Sequence, residues 1–481
     1  MPRSYGWRQA IAPYTRVPPE TCERIHMASL EILERVGIDV HYDRAREILG
    51  DTGAHLDGVR VRVPGHMVEE ALGVAPARMT LCRRDGDVAI RAWGFRTAFG
   101  GGSDCLYVLD HGTGRRRKAV LDDVKEAITV MDALPNIDFV MSGFLPSDVA
   151  QEVYDVHQME VMLNHTTKPI VFVTPDFRGC VTAVEMCEVV AGGAEAFRQK
   201  PFATCYINVT SGLVANQEAV QKCIYLAEKG LPLLYIPLNA AGVNSPTTTA
   251  GCMAALNAGT LLGLVLAQLV RPGTPVAVPG WNGGPYNLKT MVGNYVLADE
   301  QGVATSMGKY YDLPVFGLGG ATDSKVLDQQ CAAEAALGLF QAHLSGANII
   351  HDCGFMDAGM QGSLQLMAID NEWIGWIRAA TSPVEADDET LALDLVEELG
   401  PTGDYLSHQH TYQHFRDGHY ADLADKRQYD SWVEQGGKSM EERAAEQVDT
   451  ILQQHEPKPL PEDVRKALRD IVLREARRAV E

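Results

Sequence analysis

Pro169-Ile170-Val171-Phe172-Val173-Thr174, then Phe202-Ala203-Thr204-Cys205-Tyr206-Ile207-Asn208-Val209-Thr210, then Leu233-Leu234-Tyr235-Ile236-Pro237-Leu238 decide the fold. Each is a short, nearly unbroken apolar run, and helical periodicity fills the gaps at 180–190 and 217–229. A strand that is apolar on both faces is covered on both sides, which is the condition of a parallel strand in a βα array. Working outward in both directions, the same rhythm predicts strands over 97–101, 137–143, 275–279, 314–318 and 348–351. Helices are expected over 122–134, 151–164, 248–270, 290–310, 327–344 and 363–379. Turn chemistry marks several boundaries: Lys229-Gly230 and Leu344-Ser345-Gly346 end helices, and Pro272-Gly273 is a turn dipeptide. Eight βα units fit a closed (β/α)8 TIM barrel better than the alternative, an open doubly wound sheet.

The flanks break the rhythm. Residues 1–95 read as an N-terminal α+β extension, with a helix over 21–35 and short strands at 59–63 and 79–82. Residues 96–385 make the catalytic barrel, and 386–481 a C-terminal helical extension. In that extension, helices over 441–454 and 461–480 are separated by Glu456-Pro457-Lys458-Pro459.

Composition excludes several function classes. The 481 residues are 46% hydrophobic and 22% charged, the balance of a globular enzyme with a large core. A net charge of −21 argues against nucleic-acid and anionic-membrane partners; the one basic run, Arg115-Arg116-Arg117-Lys118, reads as a solvated turn. Ten scattered cysteines without a CxxC read as buried apolar residues in a reducing compartment. The first residues lack an apolar signal core, and the most apolar run, 261–270, is too short to span a bilayer. A cytoplasmic location is therefore expected. The extra terminal helices are compatible with a homo-oligomer.

In a barrel the reactive groups lie where strands end and loops begin. That rule selects Asp104 after Gly100-Gly101-Gly102, Tyr206 and Asn208 in the strand 202–210, Asn239, Trp281, Asp323, and the run His351-Asp352-Cys353-Gly354-Phe355. Asp104 and Asp323 are equally well suited to cap helices. The glycine run lacks the spacing and lysine of a phosphate loop and reads instead as a tight turn or a close approach. His351 is expected to face the barrel axis, and alternation along a strand would then turn Asp352 away. His408, His410, His414 and His419 form the other histidine cluster, where a metal pair at His410 and His414 competes with a solvated or interface surface. No GxSxG elbow or HExxH pair occurs. Aromatic residues with amides and a few carboxylates suit an organic cation.

Several stretches in order carry a resemblance. They are Gly100-Gly101-Gly102-Ser103-Asp104 with Leu106-Tyr107-Val108-Leu109-Asp110, Leu134-Pro135-Asn136-Ile137-Asp138-Phe139, Gly320-Ala321-Thr322-Asp323-Ser324-Lys325, and Gly346-Ala347-Asn348-Ile349-Ile350-His351-Asp352. The tail from Phe415-Arg416 through Tyr429-Asp430 to Glu456-Pro457-Lys458-Pro459-Leu460 belongs with them. The chain resembles the trimethylamine methyltransferase family from about His26 to its end. The resemblance implies a (β/α)8 barrel and methyl transfer to the Co(I) corrinoid (cobalamin) of a small cognate corrinoid protein, with no metal held by this chain. Archaeal trimethylamine members carry pyrrolysine near the position of 320–323, where this chain has ordinary residues.

A quaternary ammonium leaves as a neutral tertiary amine, so it needs positioning and a dry pocket rather than extra activation. The expected function is accordingly a quaternary-amine methyltransferase. The non-pyrrolysine members of the family are associated with betaines, so the resemblance to that branch implies a betaine such as glycine betaine, carnitine or proline betaine as substrate. Tyr206, Trp281 and Phe355 would cage the cation, Asn208 and His351 would hold the carboxylate with Asn239 near, and Asp104 and Asp323 would add charge. Alternatives are a tertiary methylamine methyltransferase, a lyase or hydrolase using His351 and Asp323 as acid and base, and a betaine-binding sensor.

Overall fold

The computed structural model describes residues 14–284, 286–287, 289–293, 295–296, 302–418 and 420–480. Seven parallel strands form its central sheet: β1 (Ala98–Gly101), β2 (Ile170–Phe172), β3 (Ala203–Val209), β4 (Leu233–Pro237), β5 (Val276–Pro279), β6 (Val315–Leu318) and β7 (Ile349–Cys353). They pair in the order β1-β7-β6-β5-β4-β3-β2. Parallel bridges from Gly100 to Phe139 and from Val140 to Ile170 fill the gap between β1 and β2, so the sheet closes as an eight-stave barrel. The stave expected over 137–143 is thus reduced to its middle. Gly143 turns the chain away at φ 71°, and the Asp138 carboxylate is spent on the Phe99 amide of β1 at 2.8 Å.

Side-chain alternation sorts the barrel into two layers. In β3, Ala203, Cys205, Ile207 and Val209 face the helices. Tyr206 faces inward and packs with Phe139, Val171, Leu234, Ala277, Phe316 and Ile349. The hairpin Met79–Cys82 with Val88–Ala92 plugs the bottom of this interior: Met79, Leu81 and Ile90 join the same cluster. Cys82 N–H donates to Pro201 O and Arg84 N–H to Thr167 O, at the N-terminal ends of β3 and β2. With the bottom sealed, the interior is left open only towards the C-terminal ends of the strands.

The barrel helices form largely where periodicity places them; Gln217–Lys229, for example, stops at Gly230 with φ 68°. The helix expected over 290–310 is the exception. A small hairpin, Tyr286–Asn287 with Val292–Gly293, occupies its first part, and among the described residues only Thr305–Tyr310 is helical. Asn287 makes the difference: its side chain accepts from Lys289 N–H and its carbonyl from Thr290 and Met291 N–H, an Asx turn that competes with helix.

The helix Thr249–Val270 is longer than its apolar run 261–270. By length and composition it is able to cross a membrane, yet 89% of its most apolar window is buried inside the protein. It lies between the strands and the N-terminal helices Pro19–Glu31 and Gly65–Val74. Met440–Gln454 and Glu462–Val480 pack along the opposite flank of the barrel.

Candidate active site

Inside the barrel, above the bottom hairpin, rings from β3, β6, β7 and the loop after β5 meet. Phe316 of β6 stacks on His351 of β7, with centroids 4.1 Å apart and planes 20° from parallel. Tyr206 of β3 meets Phe316 edge-on at 4.9 Å and His351 at 5.7 Å. Trp281, two residues past β5, meets His351 at 5.2 Å and Phe316 at 6.0 Å. Trp281 is half-buried, and inward-facing Asn208 is exposed, so the box opens towards solvent along β3 and β5.

Backbone strain adds a carboxylate. His351 Nδ1 lies 2.6 Å from Gly317 O; a carbonyl only accepts, so Nδ1 carries the proton and Nε2 faces Asp352 Oδ1 at 3.5 Å. Simple alternation would have turned Asp352 outward. Instead its φ is 80° and the pairing of β7 with β1 slips between Ile350 and Cys353. The side chain swings back beside His351 and accepts the hydroxyl of Tyr295. Burial raises the Asp352 carboxyl, and His351 and Tyr295 oppose that rise. Burial beside Asp352 pushes the Tyr295 phenol well above its usual range. Gly102 makes room for this corner, since a Cβ there would lie 2.3 Å from both Asp352 Oδ1 and Phe355 Cζ.

Asp104 lies near the same end, also at positive φ (66°). It accepts from Gln158 Nε2 at 3.0 Å and Ser142 Oγ at 3.4 Å, and burial raises its carboxyl. It caps no helix. Asp104 and Asp352 both act electrostatically on Tyr206. Asp155, on the helix Tyr154–His165, is a third buried carboxyl: burial and neighbouring Asp176 raise it to about 7, and its Oδ2 has no partner among the described residues. Asp323 is half-buried, and its Oδ2 accepts Val296 N–H at 3.1 Å, which anchors the segment bearing Tyr295. The N-cap of the following helix is Asp328, not Asp323.

Two expected contacts lie outside the box. Asn239 uses both ends of its amide on backbone, accepting Gly212 N–H at 2.9 Å and donating to Cys252 O at 3.2 Å, so it clips the loop at Gly212 to the first turn of the helix Thr249–Val270. Phe355 packs over Gly102 beside Asp352 and is not among the rings that stack with one another there. The histidine cluster is also remote: His410 and His414 are 4.4 Å apart, but His414 is paired with Asp417, and among the described residues no three His, Cys, Asp or Glu side chains form a metal group. His419 lies outside the described residues.

Phe316, Tyr295, Gln158 and Asp155 belong to this end of the barrel and escaped sequence reasoning. Phe316 had one usable signal: it sits two residues before the end of its strand, on the face opposite Gly317. Tyr295 fell inside the expected helix 290–310.

A bottom-sealed barrel whose open end joins aromatic rings to buried carboxylates has the chemistry to hold a small cation. Comparison with known proteins narrows the class. The family model for trimethylamine methyltransferase (MTTB) matches residues 3–479, and the chain belongs to that family. It is 32% identical over 453 residues to a trimethylamine methyltransferase MttB of Desulfitobacterium hafniense strain DCB-2, covering 93% of this chain and 91% of the relative. It is 26% identical to a glycine betaine methyltransferase of D. hafniense strain Y51, covering 95% and 96%. The crystal structure of a hydroxylamine complex of MtmB shares the fold, with a TM-score of 0.53 at 12% identity over 98% of this chain and 90% of the other. The protein is thus a TIM-barrel methyltransferase of a family that takes methyl groups from amines.

Proposed function

We propose that this enzyme moves a methyl group from a quaternary amine to the cobalt of a corrinoid carried by a separate small protein. The observation that carries the reading is the ring box of Tyr206, Trp281, Phe316 and His351 with Asp352 at its edge. Ring faces and a carboxylate attract a fixed positive charge. A quaternary nitrogen already has a neutral leaving group, so the box only has to hold it with one methyl directed outward. Asn208 lines the way in. Asp323 positions Tyr295, and through it Asp352. Asp104 contributes further negative charge. The corrinoid supplies the nucleophile. Its carrier would seat on the loops around the open end, where Val243 is 63% and Met291 69% exposed.

The lyase or hydrolase alternative pairs His351 with Asp323, whereas the carboxylate beside His351 belongs to Asp352. The deciding assay offers quaternary and tertiary amines to the enzyme with chemically reduced cobalamin and follows the loss of Co(I) absorbance. Consumption of Co(I) with quaternary amines, yielding the demethylated amine, is the expected result. Turnover without cobalamin, or with tertiary amines alone, rejects the reading.

A further inference from the structure

We infer, building on the quaternary-amine reading, that the natural substrate is a cation whose remaining arm bears no negative charge, such as a tetraalkylammonium or an ammonium alcohol, rather than a betaine. Asp352 lies beside His351, and Asp104 acts on Tyr206 from the strand-end loop of β1. His351 is the basic side chain beside Asp352, and the side chains that donate to Asp104, Gln158 and Ser142, are uncharged. Two basic side chains of the neighbouring loops are engaged elsewhere: Arg116 pairs with Asp357 at 3.1 Å, and Lys325 donates to Asp323 O at 2.6 Å and lies 3.7 Å from Asp357.

A site built for a zwitterion needs a second, positive subsite a few ångströms from the ammonium box. Among the described residues, the basic side chain within the ring box is His351. Its Nδ1 proton is committed to Gly317 O, and its Nε2 already faces the carboxylate of Asp352. A substrate carboxylate at His351 would sit against Asp352, and like charges in a buried site repel strongly. Asn208, the exposed amide at the entrance, instead offers both a donor and an acceptor, which suits a hydroxyl or carbonyl arm.

The test is binding, measured without any corrinoid. The full-length enzyme is titrated calorimetrically with tetramethylammonium, choline and glycine betaine. The cations without a carboxylate are expected to bind at least about tenfold more tightly than glycine betaine. Asp352→Asn is the matching variant, because Asn tolerates positive φ and retains the shape. It is expected to weaken choline by about tenfold or more and to narrow the gap to glycine betaine. Asp104→Asn, also at positive φ, should act in the same direction. Tighter binding of glycine betaine by wild-type enzyme, or an unchanged preference in both folded variants, overturns the inference. The binding order is independent of methyl transfer: an enzyme that binds choline selectively but never methylates cobalamin would sink the proposed reaction and leave this inference standing.

Discussion

Trp281 is the box residue least committed to the core, being half-buried at the entrance with ring contacts only to Phe316 and His351 among those described. Its replacement by Ala should therefore cost binding more than folding. A lost cation–π face is worth about 1–2 kcal/mol, so KM for a quaternary amine should rise about five- to thirtyfold with kcat changed far less. Steady-state kinetics checks this; an unaltered KM would remove Trp281 from the box. Asp155 makes a different prediction. Its folded pKa, about 7 against an ordinary 3.8, lies above the unfolded value, so the folded state holds the proton more tightly. Stability should then fall as pH rises from about 4 to about 7 and level off above that. Asp155→Asn should remove this slope and stabilise the fold at pH 8 but not at pH 4.5, by at most about 4 kcal/mol, read as a higher Tm at pH 8. Parallel melting curves for the two proteins across this range would contradict the assignment.

Elements carry the next scale. The approach of β1 to the loop after β7 depends on Gly102, where an added methyl would meet Asp352 and Phe355 at 2.3 Å. Gly102→Ala should destabilise the fold by about 1–3 kcal/mol and lower methyl transfer more than Gly263→Ala. The latter instead presses a Cβ against the Tyr235 ring on the outer face of β4. Thermal denaturation with activity on the same samples distinguishes them, and equal activity losses at equal stability would place the Asp352 corner outside the site. The same elements mark what was legible in the sequence. Buried parallel strands announce themselves as apolar runs, so β3 and β4 lie where 202–210 and 233–238 read them. Strand ends then point to Tyr206, Trp281 and His351 without any motif. What stayed hidden depends on tertiary context. The return of Asp352 towards His351 requires a positive φ that a lone Asp does not declare. The Asx turn at Asn287 sits in a stretch with passable helical periodicity, which concealed Tyr295. Phe316 looks like any core phenylalanine until the barrel closes around it.

The whole molecule adds charge and pH. A net charge of −21 surrounds a site for cations, so encounter should be electrostatically favoured and sensitive to salt. For a quaternary amine, kcat/KM should fall several-fold between low and physiological ionic strength, whereas a salt-independent value would confine attraction to the box itself. His343, buried between Thr97 Oγ1 and Thr381 Oγ1 at 2.8 and 2.9 Å, is pushed by burial down to about 4. A depressed histidine stabilises the fold fully above its unfolded pKa near 6.5, and that contribution is lost as pH falls towards 4. It opposes the slope from Asp155, so the two contributions nearly cancel between about pH 4 and 6.5 in the wild-type protein, and His343→Gln should be least harmful near pH 4. The central claim, that a quaternary nitrogen sits among the four rings for its methyl to be taken by cobalt, is tested most directly by a crystal structure with tetramethylammonium bound. The nitrogen is expected within about 6 Å of the Tyr206, Trp281 and Phe316 ring centroids, with one methyl directed to the open end of the barrel. A nitrogen bound elsewhere, or a box closed to the ion, would contradict it.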